Sequence, residues 1–101
     1  LQHGIYGILM NDSASSRPPR VLSVDDKANI RELLATAFSD RGFSVSTASN
    51  GDDAVAQIEE NAFDLVITDL KMPGRDGIGV LRAAKQASVD TAVIVITAYG
   101  T

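Results

Sequence analysis

The sequence predicts an α/β fold, a doubly wound parallel sheet with helices on both faces. Three observations carry this. Apolar runs alternate with segments of helical periodicity in the order βαβαβαβ. The connections are short, so successive strands run the same way and are joined by right-handed crossovers. The runs VLSV, DLVIT and AVIVIT are nearly continuous rather than alternating, as strands covered on both faces require.

The elements follow in order. Arg20 to Val24 is the first strand, and Asp26 is the expected N-cap of the first helix. Ile30, Leu33, Leu34, Ala37 and Phe38 fall on one face of that helix, predicted at about 14 residues. Arg41-Gly42 closes it, with glycine in its usual position past the C-terminus. Phe43 to Ala48 alternates, with Phe43, Val45 and Thr47 on one face, and reads as an edge strand. Asn50-Gly51 is a turn signal. Ala54, Val55 and Ile58 mark a second helix ending near Asn61, and Asp64 to Asp69 is the third strand. Lys71-Met72-Pro73-Gly74 is a loop. Ile78, Val80, Leu81 and Ala84 suit a third helix over Gly77 to Ala87, and Ala92 to Thr97 is the fourth strand. The continuous apolar runs place the first, third and fourth strands centrally.

Size and composition bound the function. The 101 residues suffice for one small domain, and 45% apolar with 22% charged residues is ordinary for a globular chain. A net charge of -4 with no basic stretch argues against direct binding of nucleic acid. The lack of cysteine excludes disulfides and thiolate metal sites. No apolar run approaches the roughly 20 residues that span a bilayer. The N-terminal GIYGILM is short, lacks a basic flank and does not read as a signal peptide. Met10 is a candidate natural start, and NDSASSRPP reads as a linker, so residues 1–19 form a leader before a domain over 20–101.

The chemistry is expected at the strand ends. Asp25 and Asp26 follow the first strand and Asp69 ends the third. Adjacent parallel strands bring these ends to one rim, where open α/β sheets bind ligands. Three crowded carboxylates call for a cation. A hard divalent ion such as Mg2+ takes oxygen ligands and keeps waters for a phosphate. A carboxylate beside that ion is a nucleophile for phosphorus, and Asp69 is the candidate. Asp25 and Asp26 are candidate ligands, one directly and one through water, and the backbone carbonyl of Lys71 is placed to complete the oxygen shell. Thr97 offers a hydroxyl to a phosphoryl oxygen, and small Ala98 leaves room at the mouth. Gly77 is expected to let backbone approach closely. Each has a plainer reading: a capping aspartate, a β-branched strand residue, a turn. His3 is read as incidental, and Tyr99 faces either the core or a partner.

VLSVDD, DLVITDLKMPGRDGIGVL and VIVITAYG together resemble the receiver domain of two-component response regulators, from about Arg20 onward. The ITAYGT ending is most similar to receivers of bacterial enhancer-binding transcription activators. The resemblance implies a flavodoxin-like sheet of order 2-1-3-4, Asp69 as phosphoacceptor, Mg2+ on Asp25 and Asp26, and Thr97 as the switch hydroxyl. It implies a sensor histidine kinase as partner, an output domain beyond the C-terminus, a cytoplasmic location and a regulatory rather than enzymatic role. The sequence reaches Thr101 before the fifth strand of such a receiver, with its site lysine, and neither Lys71 nor Lys85 matches that lysine. Two expectations follow. The AVIVIT strand becomes an exposed edge that self-associates or is covered by GIYGILM, and phosphorylation is weak or short-lived. The competing readings are an aspartate-nucleophile phosphatase, opposed by Lys71 where a second acid is needed; a dinucleotide fold, opposed by the lack of a glycine-rich first turn; and a pseudo-receiver that serves only assembly.

Overall fold

The computed structural model describes residues 17–97. Its elements are β1 (Arg20–Val24), α1 (Ala28–Ser39), β2 (Ser44–Ala48), α2 (Gly51–Glu60), β3 (Leu65–Asp69), α3 (Gly77–Ala87) and β4 (Ala92–Ile96). All strand pairs are parallel, and the order is β2-β1-β3-β4. The fold class and the strand order are those the sequence and the resemblance led to.

The pleat divides the core into two. Leu22, Val24 and Val66 point to one face and pack with Ala54 and Ile58 of α2 and Val80 and Ala84 of α3. Val21, Leu65 and Ile67 point to the other, where Leu34 and Phe38 of α1 cover them together with Phe43. Fully burying each such aliphatic side chain contributes about 1.5–3 kcal/mol. The rings of Phe38 and Phe43 meet edge to face, with centroids 5.1 Å apart at 86°.

Three details differ from expectation. Leu33 is not on the buried stripe of α1: it is 65% exposed. A helix turns about 100° per residue, so once Leu34 and Phe38 face the sheet Leu33 points along the flank, where no second helix covers it among the described residues. Asp26 does not cap α1: the N-cap is Lys27, with no side-chain cap bond. Asp25 takes that place in part, its Oδ1 accepting the Lys27 N–H at 2.9 Å. Finally, β4 is not central, the position its apolar run predicts, but an edge strand among the described residues, as expected of AVIVIT where no fifth strand follows, with Val93, Ile94 and Val95 half-buried and Ile96 42% exposed. A continuous apolar run reports cover on the two faces, not a neighbour on each side, so it cannot separate an edge from a centre.

Two side-chain caps and a glycine close three further helix ends. Asn50 accepts the Asp53 N–H at 2.7 Å to cap α2, and Asp76 accepts the Gly79 N–H at 3.0 Å to cap α3. After α1, Gly42 has φ +90°, the left-handed conformation that lets the chain reverse into β2. The Gly42 N–H donates to the Ser39 carbonyl at 3.0 Å and the Phe43 N–H to that of Phe38 at 3.1 Å. His3, GIYGILM, Ala98 and Tyr99 lie outside the described residues.

Candidate functional site

The register of β1 on β3 pairs Val21 with Leu65 and Val24 with Thr68. The residues just past this paired stretch, Asp25 after β1 and Asp69 at the end of β3, therefore arrive at the same level. Asp25 is 6% and Asp69 8% exposed, and Asp26 beside them is exposed. One carboxylate oxygen from each of the three lies within 4.8 Å of the others. The structure thus brings the three predicted acids together at the carboxyl rim.

Backbone bonds hold both strand ends. The Asp25 N–H donates to the Ala48 carbonyl of β2 at 3.2 Å, and the Arg31 guanidinium donates to the Asp25 carbonyl at 2.8 Å. Past Asp69, the Leu70 N–H donates to the Ile96 carbonyl at 2.8 Å and the Gly77 N–H to the Leu70 carbonyl at 2.9 Å. A methyl group on Gly77 would collide with the Asp69 carbonyl oxygen and the Leu70 Cα, so only glycine lets α3 start this close to β3. The close approach expected at Gly77 is present.

Lys71 and Thr97 follow the ends of β3 and β4 at the same rim, and both are exposed. Thr97 comes one residue after Ile96, the register partner of Asp69.

One residue of the site was not foreseen. Lys27 Nζ stands among the three acids, 3.0 Å from Asp69 Oδ2, 3.1 Å from Asp25 Oδ1 and 3.3 Å from Asp26 Oδ1. The crowded carboxylates do have a cation, and it is supplied by the chain. Asp69 first, then Asp25 and Asp26, hold the Lys27 ammonium above the usual lysine range. The only sequence signal was that Lys27 directly follows the acidic pair. Adjacency in sequence does not say where four methylenes will carry the amine.

The donor set fits a hard divalent cation. Its side-chain ligands are all carboxylate oxygens, and the Lys27 ammonium already marks the point between them as a place for positive charge.

Residues 21–101 match the response regulator receiver domain family. The chain belongs to that family. Receiver domains are the signal-accepting modules of two-component phosphorelays, and this places the chain in signal transduction. The chain is 41% identical over 81 residues to the transcriptional regulatory protein ResD of Bacillus subtilis, covering 80% of this chain and 33% of that one. It is 40% identical over 81 residues to the sporulation initiation phosphotransferase F of the same organism, covering 80% of this chain and 65% of that one. Among solved structures, it resembles the response regulator TrrA of Thermotoga maritima in complex with Mg2+-BeF (TM-score 0.75, 39% identity, 81% of this chain and 71% of that one). It also resembles the chemotaxis protein CheY4 of Vibrio cholerae (TM-score 0.76, 30% identity, 83% of this chain and 72% of that one). The receiver spans about a third of the transcriptional regulators ResD and DltR. No helix among the described residues is long and apolar enough to cross a membrane.

Proposed function

We propose that this receiver accepts a phosphoryl group on Asp69, with a Mg2+ ion held by Asp25, Asp26, Asp69 and the Lys71 carbonyl. The observation that carries the reading is the convergence of the three acids within 4.8 Å at the carboxyl rim. The donor is the phosphohistidine of a sensor kinase, or a small acyl phosphate. A bound divalent ion supplies charge neutralisation between Asp69 and the incoming phosphoryl group. An Asp69 oxygen attacks phosphorus as the donor's bond to phosphorus breaks: the P–N bond of phosphohistidine, the imidazole leaving with the bonding pair, or the P–O bond of the acyl phosphate, its carboxylate leaving with the pair. Asp69 then carries an acyl phosphate, with added negative charge and strong acceptor oxygens. Thr97, just past the end of the neighbouring strand, donates its hydroxyl to one of those oxygens, and the end of β4 moves with it. The output is an altered interface rather than a metabolic product, read by an output domain of the kind the relatives' names point to, a transcriptional regulator. In this reading the protein acts in the cytoplasm, binds no nucleic acid through this domain, and carries residues 1–19 as a leader to a receiver over 20–101.

Intact mass after incubation with acetyl phosphate and Mg2+ tests this. The expected result is one added phosphate, absent from Asp69→Asn and absent with chelator. No adduct on a chain that circular dichroism shows folded overturns it. A second reading, an assembly module, draws on the outer edge of β4, which has no strand partner among the described residues and ends in exposed Ile96. Light scattering after size exclusion checks it: self-association supports the edge as a contact, and a monodisperse monomer refutes it.

A further inference from the structure

We infer that Lys27 is a tethered competitor of the divalent ion, a residue that sets how tightly the acidic site binds its metal and that must leave before the metal enters. The inference rests on the metal reading above and goes beyond it.

An ammonium group has three N–H donors, and Lys27 Nζ has three carboxylate partners, at 3.0 Å, 3.1 Å and 3.3 Å. No acid of the triad is left without it. Its position is the one that charge neutralisation selects, between two nearly buried carboxylates and an exposed one. The tether is short and fixed: the Lys27 N–H is bound to Asp25 Oδ1 at 2.9 Å, and Lys27 is the N-cap of α1. The amine is therefore present at high effective concentration whatever the solution holds. It is not locked in. The side chain is 50% exposed, so it can swing into solvent without disturbing the core.

The consequence follows from population arithmetic. A site occupied by its own lysine binds metal with an affinity reduced by the fraction of molecules in which the lysine is out. A doubly charged ion overcomes a singly charged competitor, but at a higher concentration than the three carboxylates alone would require. Displacement also frees the ammonium beside Asp69, so metal binding and the departure of Lys27 are coupled equilibria.

The test titrates the whole chain with Mn2+, a paramagnetic stand-in for Mg2+, and counts free ion by electron paramagnetic resonance. Wild type, Lys27→Met, Lys27→Gln and Asp25→Asn are compared, each shown folded by circular dichroism. Lys27→Met and Lys27→Gln are expected to bind about tenfold more tightly than wild type, and Asp25→Asn more weakly. In parallel, the Lys27 ammonium resonance of wild type, assigned by its absence from a folded Lys27 variant, is expected to shift when Mg2+ saturates the site. Equal affinity in wild type and both lysine variants, with loss in Asp25→Asn, overturns the competitor and leaves the metal site standing. A Lys27 resonance that ignores saturating Mg2+ overturns displacement in the same way. Binding no tighter than in Asp25→Asn by any protein overturns the metal reading and the inference together.

Discussion

The two rims of the sheet treat their carboxylates differently. At the amino rim, Asp64 is surrounded by its own chain. Its Oδ2 accepts the Arg20 N–H at 2.7 Å, and its backbone N–H donates to the Arg20 carbonyl at 2.8 Å. The Arg20 side chain lies over the Phe63 ring at 5.3 Å and donates to Asn61, and the Thr91 hydroxyl donates to the Phe63 carbonyl at 2.7 Å. At the carboxyl rim, three acids share one half-exposed ammonium, and Asp25 also accepts the Lys27 backbone N–H at 2.9 Å. Fixed backbone donors make a carboxylate part of the scaffold. A movable side-chain donor leaves it exchangeable, which is what a binding site needs.

Substitutions at the two rims sharpen or break this contrast. The largest effect is expected from Asp69→Asn: phosphoryl incorporation from acetyl phosphate, read by intact mass, falls to nothing while the urea midpoint changes little. An incorporation that survives removes Asp69 from its role. Next is Gly77→Val, whose side chain meets the Asp69 carbonyl and the Leu70 Cα. A loss of about 1–3 kcal/mol is expected in denaturant unfolding, together with weaker Mn2+ binding, because the strand end carrying Asp69 must shift. At the other rim, Asp64→Ala removes a backbone partner. It is expected to cost about 1–2 kcal/mol in urea unfolding and to leave Mn2+ affinity unchanged; an altered affinity breaks the separation of the rims. The smallest effect is expected at Leu33→Ala, within about 0.5 kcal/mol by the same unfolding measurement because the side chain is exposed. Leu34→Ala, one residue on, loses contact with the core beneath α1 and is expected to cost several times more.

Much of this was legible before any coordinates. The alternation of apolar runs and amphipathic segments is a property of covalent spacing, so element order, the bounds of α3 and the rim that gathers Asp25, Asp26 and Asp69 could be read directly. What could not be read depends on choices among neighbours. Asp25 and Asp26 are both competent caps, and only the strand's pleat decides which carboxylate turns back to the Lys27 N–H. Leu33 and Leu34 are both apolar, and only the angle at which α1 lies on β1 and β2 decides which is covered. Lys27 was hidden for another reason: a long flexible side chain finds its partners through space, and periodicity carries no information about its tip.

The turn after Asp69 has a consequence for motion. The peptide groups around Leu70 are tied at once to β4, through Ile96, and to α3, through Gly77. Neither tie can open alone without stranding a donor or an acceptor at the rim. The Leu70 and Gly77 amides are therefore expected to exchange with deuterium as a pair, at one shared rate and through one shared opening. In mechanical terms the turn is a rivet through three elements, joining the end of β3 to β4 and α3 by one hydrogen bond each.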